Sequence, residues 1–541
     1  YIIELGVIMA NISKIEEFWD DNPIDVSAEV NFIWSIANKL RGPYQSDKYK
    51  DVIIPMVIIR RFECALQETK DAVVAQYKKM PTYPAKAMYK ISGYQFYNTS
   101  EFTLAELVND ADHLASNFKS YINGFSANIQ DIIKNLEFDK QIDKMDKHNR
   151  LLAVVKAFSE IDLDPKVIDN MKMGYIFEEL IRKFSENAEA GDHYTGRDII
   201  KAMVSILLAE GCDDIFDDGK IVTILDQAAG TGGMLSTANN YIKRFNPTAD
   251  VRLFSQEVNP ESYAMCLAEM LIRGQNADNI RLQDTMKADC FTDTKMRFVI
   301  ENPPFGCAWG GKDAPEGDEE AVKAEVLKGT SGRFPAGAPS SGDMQLLFIQ
   351  SAINKMDDEC GRAAIIENGS PLFSGGTSSG ESQIRRWLLE NDYIEAIIQL
   401  STDMFYNTGI ATYIWVLSKN KRAERKGKIQ LIDASHLCNK LRKNLGNKKC
   451  EIAPKDRVAI TKLYADFKEN EHCQIYDNTE FIYREYAVMQ PLQRSYAITE
   501  DRINAMLSSG ALSTLYDEAK VDELENMDEL TGKDKNKLDK L

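Results

Sequence analysis

The sequence lacks a long hydrophobic run. Its most apolar stretch, residues 52–59, is eight residues long and contains Pro55, whereas a bilayer-spanning helix needs about 20 apolar residues. Paired cysteine motifs are also missing. The nine cysteines (64, 212, 266, 290, 307, 360, 438, 450 and 473) are odd in number, irregularly spaced and never in a CxxC pair, so a reduced, cytoplasmic chain is expected. The five histidines are scattered, and no metal-ligating cluster is expected. Positive charge is short as well. Lys and Arg total 65 against 83 Asp and Glu, a net charge of −18. A protein that coats nucleic acid unaided usually carries a basic surface. This chain should avoid nucleic acid, touch it through a local patch, or leave most of the gripping to a partner. The first residues, YIIELGVIMANISKIEEF, have no basic flank and are interrupted by Glu4. They are not read as a signal peptide, and Met9 is an alternative start.

What is present divides the 541 residues into three expected regions, in keeping with about 150 residues per domain. Residues 1–190 read as a helical N-terminal domain, with 1–14 an extension or disordered. Ile33, Ile36, Ala37 and Leu40 share one helix face, and Gly42-Pro43 ends it. Residues 191–435 alternate short apolar runs with helical patterns. Strands are expected at 221–225, 251–255, 280–282, 298–300, 362–366, 394–400 and 412–417, and helices at 343–356 and 381–390. Such alternation predicts an α/β domain, a mainly parallel sheet with helices on both faces. The Gly/Pro/Ser-rich stretch 306–342 is expected to be a mobile functional loop, with a short helix at 318–327. Residues 436–541 read as a helical C-terminal region with a disordered end. Two basic runs stand out: Lys419, Lys421, Arg422, Arg425, Lys426 and Lys428, and Lys440, Arg442, Lys443, Lys448 and Lys449. Each is either a solvated face or a set of phosphate contacts.

The chemistry concentrates at the ends of four expected strands. The first runs through Asp226 into Gln227-Ala-Ala-Gly230-Thr231-Gly232-Gly233. Glycines let a backbone approach a ligand closely, and the following helix start offers free N–H groups. A nucleotide-like ligand at a sheet's carboxyl edge fits this pattern, although a Gly-rich turn alone is often purely structural. The second strand ends at Glu257, placed to accept hydrogen bonds from ribose hydroxyls. The third leads to Asp284, where an acid can meet an adenine amino group. The fourth ends in Asn302-Pro303-Pro304-Phe305. The prolines stiffen the turn and remove backbone donors, leaving amide and carbonyl oxygens as acceptors for an exocyclic amine. Phe305 offers a flat face for a base. An adenine amine is a poor nucleophile because its lone pair is delocalised into the ring. Two acceptors on its N–H bonds favour a more tetrahedral nitrogen, without a metal or strong base. Upstream, Gly191-Asp192-His193-Tyr194-Thr195-Gly196-Arg197 precedes the sheet.

In that order these motifs resemble S-adenosylmethionine-dependent DNA adenine-N6 methyltransferases, and more narrowly the modification subunit of type I restriction-modification systems. Asn31-Phe-Ile-Trp-Ser-Ile-Ala, Leu40-Arg-Gly-Pro-Tyr, Glu367-Asn-Gly-Ser-Pro-Leu-Phe-Ser-Gly-Gly376 and Phe405-Tyr-Asn-Thr-Gly409 add to the resemblance, which covers roughly residues 15 to 500. It implies a Rossmann-like methyltransferase sheet after a helical N-terminal domain. It also implies that Asn302, Pro303, Pro304 and Phe305 hold the target adenine. Asp226, Gly230, Thr231, Gly232 and Gly233 would line the S-adenosylmethionine site, Glu257 would hold the ribose and Asp284 the cofactor's adenine. Asp192, His193, Tyr194, Thr195, Gly196 and Arg197 would cover the methionine end. The implied partners are double-stranded DNA with a flipped adenine, a specificity subunit that docks on the C-terminal region, a second copy of this chain, and a restriction subunit. Two positions depart from the family pattern. Gln227 and Gly196 stand where proline is usual, which puts the local geometry in question.

Competing patterns are weaker. Residues 306–313 nearly match a phosphate-binding P-loop but end in Asp313 instead of Ser or Thr. Gly376-Thr-Ser378-Ser-Gly380 matches a nucleophile elbow without a preceding strand. Methylation of another planar amide, such as a protein glutamine, and a non-catalytic assembly role are the alternative functions.

Overall fold

The computed structural model describes residues 24–185, 195–406, 408–484, 486, 488–490, 496–509, 518–527, 529 and 531–539. Asp192, His193 and Tyr194 lie outside the described residues. The chain forms two compact units that divide after Tyr483.

The larger unit is organised by a nine-stranded sheet. Its strands are β1 (Ile221–Asp226), β2 (Asp250–Glu257), β3 (Ile280–Leu282), β4 (Phe298–Glu301), β5 (Arg362–Asn368), β6 (Ile394–Gln399), β7 (Thr412–Ser418), β8 (Lys428–Asp433) and β11 (Cys473–Asp477), while β9 (Asn439–Leu445) and β10 (Lys448–Glu451) form a separate hairpin. The order is β11-β8-β6-β7-β5-β4-β1-β2-β3. Strands β3, β2, β1, β4 and β5 run parallel, β7 is antiparallel between β5 and β6, and β11 closes the edge antiparallel to β8. All seven expected strands are present, and the α/β reading holds.

Near-continuous apolar runs such as β5 (RAAIIEN) suit strands covered on both faces. Successive residues point to opposite faces, and the core divides accordingly. Ile224, Ile300, Ala364 and Ile414 belong to one apolar cluster, and their neighbours Leu225, Val299, Ala363 and Trp415 to another. The first cluster continues into the helical N-terminal region, where Ile33, Ile36, Ala37 and Leu40 are all buried. Within that region the buried Arg61 donates to Leu163 O, Ile168 O and Asn170 Oδ1, each at 2.7 Å. Helix Pro260–Ile272 joins the two regions. Glu261 pairs with Lys50 at 2.7 Å, and the Tyr263 hydroxyl donates to Asp131 Oδ2 at 2.9 Å.

One expectation requires correction. Residues 436–483 are not a helical C-terminal region, because they supply β9, β10 and β11 to the larger unit. The helix Pro454–Asp466 and the short 3-10 turn Asn478–Phe481 match the expectation there. These strands are short, and charged residues interrupt their alternation (NKLRKNL, KKCE, CQIYD). The smaller unit contains helices Glu500–Leu507, Glu518–Glu525 and Gly532–Leu538. The stretch 306–342 contains the short helix expected of it, at Asp318–Leu327, and Trp309, Val322 and Phe334 pack with Met286, Met344, Leu347 and Phe348 in a local core.

A buried charge cluster fastens the amino edge of the sheet. Arg362 of β5 donates to Glu395 Oε2 of β6 at 2.8 Å and to the Tyr464 hydroxyl, and Arg425 lies 3.6 Å from Glu395 Oε1. Burial alone would raise the Glu395 carboxyl, but the two guanidiniums hold it below its ordinary value. Breaking one partner of such a cluster leaves a buried charge uncompensated. Glu395→Ala should therefore cost about 3–5 kcal/mol of stability in denaturant titration. A loss under about 1 kcal/mol, typical of exposed pairs, would show that the cluster is not a fastening.

Candidate active site

β1 is flanked by β2 on one side and β4 on the other, both parallel. The strand order therefore reverses at β1, and a crevice opens beyond the carboxyl ends of β1 to β4. All four chemical signals of the sequence lie at that edge.

After Asp226 the chain turns through Gly230 and Gly232, with φ of +51° and +84°, into helix Gly233–Phe245. The left-handed region favours glycine. At Gly232 space also matters, since a Cβ would lie 2.8 Å from Cys266 Sγ. Glu257, at the end of β2, accepts from the Gly230 amide and the Asn259 amide, both at 2.7 Å. It thus holds the Gly-rich turn while it borders the cavity.

That cavity has a volume of about 760 Å³, within the range for small-molecule sites. Thr195, Asp226, Gly230, Thr231, Gly233, Glu257, Asp284, Asn302 and Pro304 line it. Lys50, Ile54, Ile181 and Phe184 of the helical region also line it, as do Gly306, Asp313, Pro315 and Asp318 of the 306–342 segment. The wall from the helical region was not legible, because nothing in its local spacing announces a distant cavity.

The decisive geometry is at Asn302. Its Nδ2 donates to Thr195 Oγ1 at 2.9 Å. Its Oδ1 is buried and has no hydrogen-bond partner among the described residues. A buried carbonyl without a donor is costly, so this oxygen is an acceptor waiting for an N–H. Thr195 lines the cavity beside the Asn302–Phe305 turn, and its hydroxyl sets the Asn302 amide. Pro303 is buried, and the half-buried Phe305 meets the edge of Phe405 at 6.2 Å between ring centres. Gly232, Pro303, Phe305, Gly196 and Arg197 are not cavity-lining residues.

Arg197 is a correction. It pairs with Glu178, and its guanidinium lies 3.8 Å from the Tyr175 ring centre. Burial, followed by the nearby Arg273, lowers its pKa to about 10. This arginine fastens the helical region and does not face the cavity. Gly196 begins helix Arg197–Ala209. A Cβ there would meet Asp198 Oδ1 at 2.4 Å, so glycine leaves room for that carboxylate. Asp198 in turn accepts from Lys448 Nζ at 2.9 and 3.0 Å and from the Ile452 amide at 2.9 Å.

Gln227, the other departure, is fully engaged. Its Nε2 and backbone N–H donate to Glu301 Oε2 at 3.1 and 3.3 Å, and its Oε1 accepts from Ser351 Oγ at 2.6 Å. Its carbonyl oxygen accepts from Thr285 Oγ1 at 2.6 Å. A proline could make neither the side-chain bonds nor the amide donation. Gln227 therefore ties β1 to β4 and to helix Gln345–Lys355 directly behind the cavity. Burial raises Asp226 to about 8, with Glu257 adding, and raises Glu301 to about 8, with Asp226 adding. On the far side, Lys287 lies 3.6 Å from Asp284 and 3.4 Å from Asp318. Burial and Asp284 raise Asp318 to about 6.

A family model described as N-6 DNA Methylase matches residues 168–501, more than half of the sequence. The chain belongs to the N-6 DNA methylase family. A second model, the HsdM N-terminal domain, matches residues 30–158. With these domains the chain takes its place among the methylase subunits of type I restriction enzymes, which are S-adenosylmethionine-dependent, adenine-specific DNA methyltransferases. The Type I restriction enzyme MjaIX methylase subunit of Methanocaldococcus jannaschii is 23% identical over 432 residues, 75% of this chain and 72% of its own length. Two further curated methylase subunits are matched over 57% and 54% of their lengths. Among solved structures, the type I restriction-modification methyltransferase subunit from Streptococcus thermophilus has a TM-score of 0.66 at 20% identity, covering 84% of this chain and 96% of that one. A chain from a structure on complex assembly of the type I R-M system has a TM-score of 0.55 at 18% identity, covering 94% and 100%. At these identities the structural likeness is one of fold. Among the described residues no helix is long and apolar enough to cross a membrane.

The two raised carboxyls, Asp226 in the cavity wall and Glu301 behind it, predict a pH dependence. A carboxyl lifted by folding holds its proton more tightly in the folded chain. It favours the fold below its unfolded pKa and loses that advantage as pH climbs toward about 8. Glu301→Gln mimics the protonated form. Its thermal midpoint should match the parent near pH 5 and exceed it near pH 8. Equal midpoints at both values would contradict the raised carboxyl.

Proposed function

We propose that the crevice binds S-adenosylmethionine along β1 to β3 and a flipped DNA adenine at Asn302–Phe305. The observation that carries this reading is the buried, unpartnered Oδ1 of Asn302, fixed by the Thr195 hydroxyl. The chain's residues fit the cofactor. The Gly-rich turn meets a helix start, Glu257 and Asp284 face one cavity with it, and no metal is required. When bound, the cofactor supplies an electrophilic methyl group on a sulfonium.

Asn302 Oδ1 accepts one N–H of the adenine amine, and a backbone carbonyl of the stiff Pro303-Pro304 turn accepts the other. These bonds draw the nitrogen lone pair out of conjugation and aim it at the methyl carbon. The bound cofactor would supply its methyl group to this nitrogen, and the amine would give up one proton to water. Phe305, braced by Phe405, gives the base a flat face. Bringing the adenine out of a duplex costs roughly a few kcal/mol, offset by these contacts. Glu257 and Asp284 orient the ribose and the cofactor's adenine. Asp192, His193 and Tyr194 belong with the methionine end by resemblance alone.

The acidic chain of −18 leaves sequence recognition to a specificity subunit. A second copy of this chain and a restriction subunit complete the assembly. The solved chain that shares this fold comes from a study of type I complex assembly, which supports the reading.

Asn302→Ala should lower methyl transfer to unmodified duplex DNA by about 10²–10³-fold or more, with S-adenosylmethionine binding retained. The assay uses the natively purified chain with its co-purifying partners. It reads label on N6-methyladenine after digestion, and near-parental transfer would refute the role. Thr195→Val removes only the acceptor that sets the amide. It should lower kcat more than it raises KM for DNA, and the opposite split would make Thr195 a binding residue.

A further inference from the structure

The two basic runs look alike in sequence, yet the fold treats them differently. Four of the six cations of the first run are paired internally. Lys419 pairs with Asp358 at 2.6 Å, Lys421 with Asp392 at 2.5 Å, Arg422 with Glu210 at 3.2 Å, and Arg425 is buried between Glu210 and Glu395. The second lies on the β9–β10 hairpin. There Lys440, Arg442 and Lys443 are exposed and form no ion pair among the described residues.

The hairpin sits at the active edge. β8 runs parallel to β6 and leads into β9 at the carboxyl edge of the sheet. The Asn447 amide donates to Tyr406 O at 2.7 Å, and the Lys449 amide to Asp403 O at 2.8 Å. These residues flank Phe405, which braces Phe305 of the catalytic turn. The buried Lys448 donates to Met404 O at 3.0 Å and grips Asp198, three residues after Thr195. The hairpin is thus fastened to the segments that support Asn302 and Phe305, while its unpaired cations face solvent.

We propose that this hairpin is a phosphate grip for duplex DNA, with Lys440, Arg442 and Lys443 taking backbone phosphates beside the flipped adenine. The proposal rests on the DNA-methylation reading of the site. Unpaired cations on a chain of net −18 favour a polyanion. Alternate strand residues stand about 6.7 Å apart, a spacing that lets Lys440 and Arg442 meet neighbouring phosphates. The Arg442 guanidinium can hold one of them through two parallel bonds.

The test compares the parent complex, a Lys440→Gln/Arg442→Gln/Lys443→Gln variant, and Lys426→Gln. The last removes an exposed lysine just before β8, at the opposite edge of the sheet. Each protein is purified with its partners, and binding to short unmodified duplex DNA is measured across salt concentrations. Each phosphate contact contributes roughly 0.9 to the slope of log affinity against log salt. The triple variant should lose about two to three from that slope and bind at least about tenfold more weakly near 0.15 M salt. Its KM for DNA should rise and its thermal midpoint should stay at the parent's. Lys426→Gln should keep the parent slope. An unchanged slope in the triple variant overturns the proposal. So does loss of a co-purifying subunit with the slope preserved, which would assign the patch to a protein. Failure of the underlying reading is separate: the parent complex would then leave N6 of adenine unlabelled, whatever the hairpin variants do.

Discussion

The site depends on one constraint, the parallel pairing of β1 with both β2 and β4. Because the chain moves outward from β1 to β2 and β3 on one side and returns to β4 on the other, its connections leave β1 in opposite directions and a crevice opens above it. The candidate site groups are set by how far their strands reach into that crevice. Asp226 and Glu257 end their strands, and Asn302 follows the last residue of β4. The flanking layers then do a second job. The helical region and the 306–342 segment turn an open edge into a walled cavity.

Behind this edge the fold tolerates a concentration of buried acids. Asp226, Glu301 and Glu367 are fully buried, and burial raises all three carboxyls. Gln227 answers part of this cost with two donors to Glu301. The substitution of the usual proline therefore exchanges backbone stiffness for a hydrogen-bond network. Gly196 makes a similar exchange, since the space it leaves is used by Asp198 and Lys448. In both places a rigid ring is replaced by polar contacts that span distant parts of the chain.

Much of the site was legible because it sits in local motifs. The strand-end acids, the Gly-rich turn and Asn302–Phe305 are each short, and a strand followed by a turn predicts where such residues point. The bond between Thr195 and Asn302 was hidden, since the two are 107 positions apart and nothing in spacing pairs a threonine with an asparagine. Arg197 misled for the opposite reason. It adjoins Thr195 in sequence, but the helix that starts there turns its side chain away, onto Tyr175 and Glu178. The C-terminal boundary failed on physical grounds too. β9 carries three exposed cations and two half-buried leucines, a pattern no hydrophobic period reveals. β11 owes its place to pairing with β8 more than to its own burial.

The ion pair between Asp198 and Lys448 joins residues 250 positions apart. On the ribosome the first of these emerges long before the second, on the order of tens of seconds at about 5–20 residues per second. Until then the chain can pair β1, β2 and β4, but the segment beside Asn302 has no lysine to anchor it. Completion of the candidate site is thereby deferred to a late stage of synthesis, when nearly the whole larger unit exists.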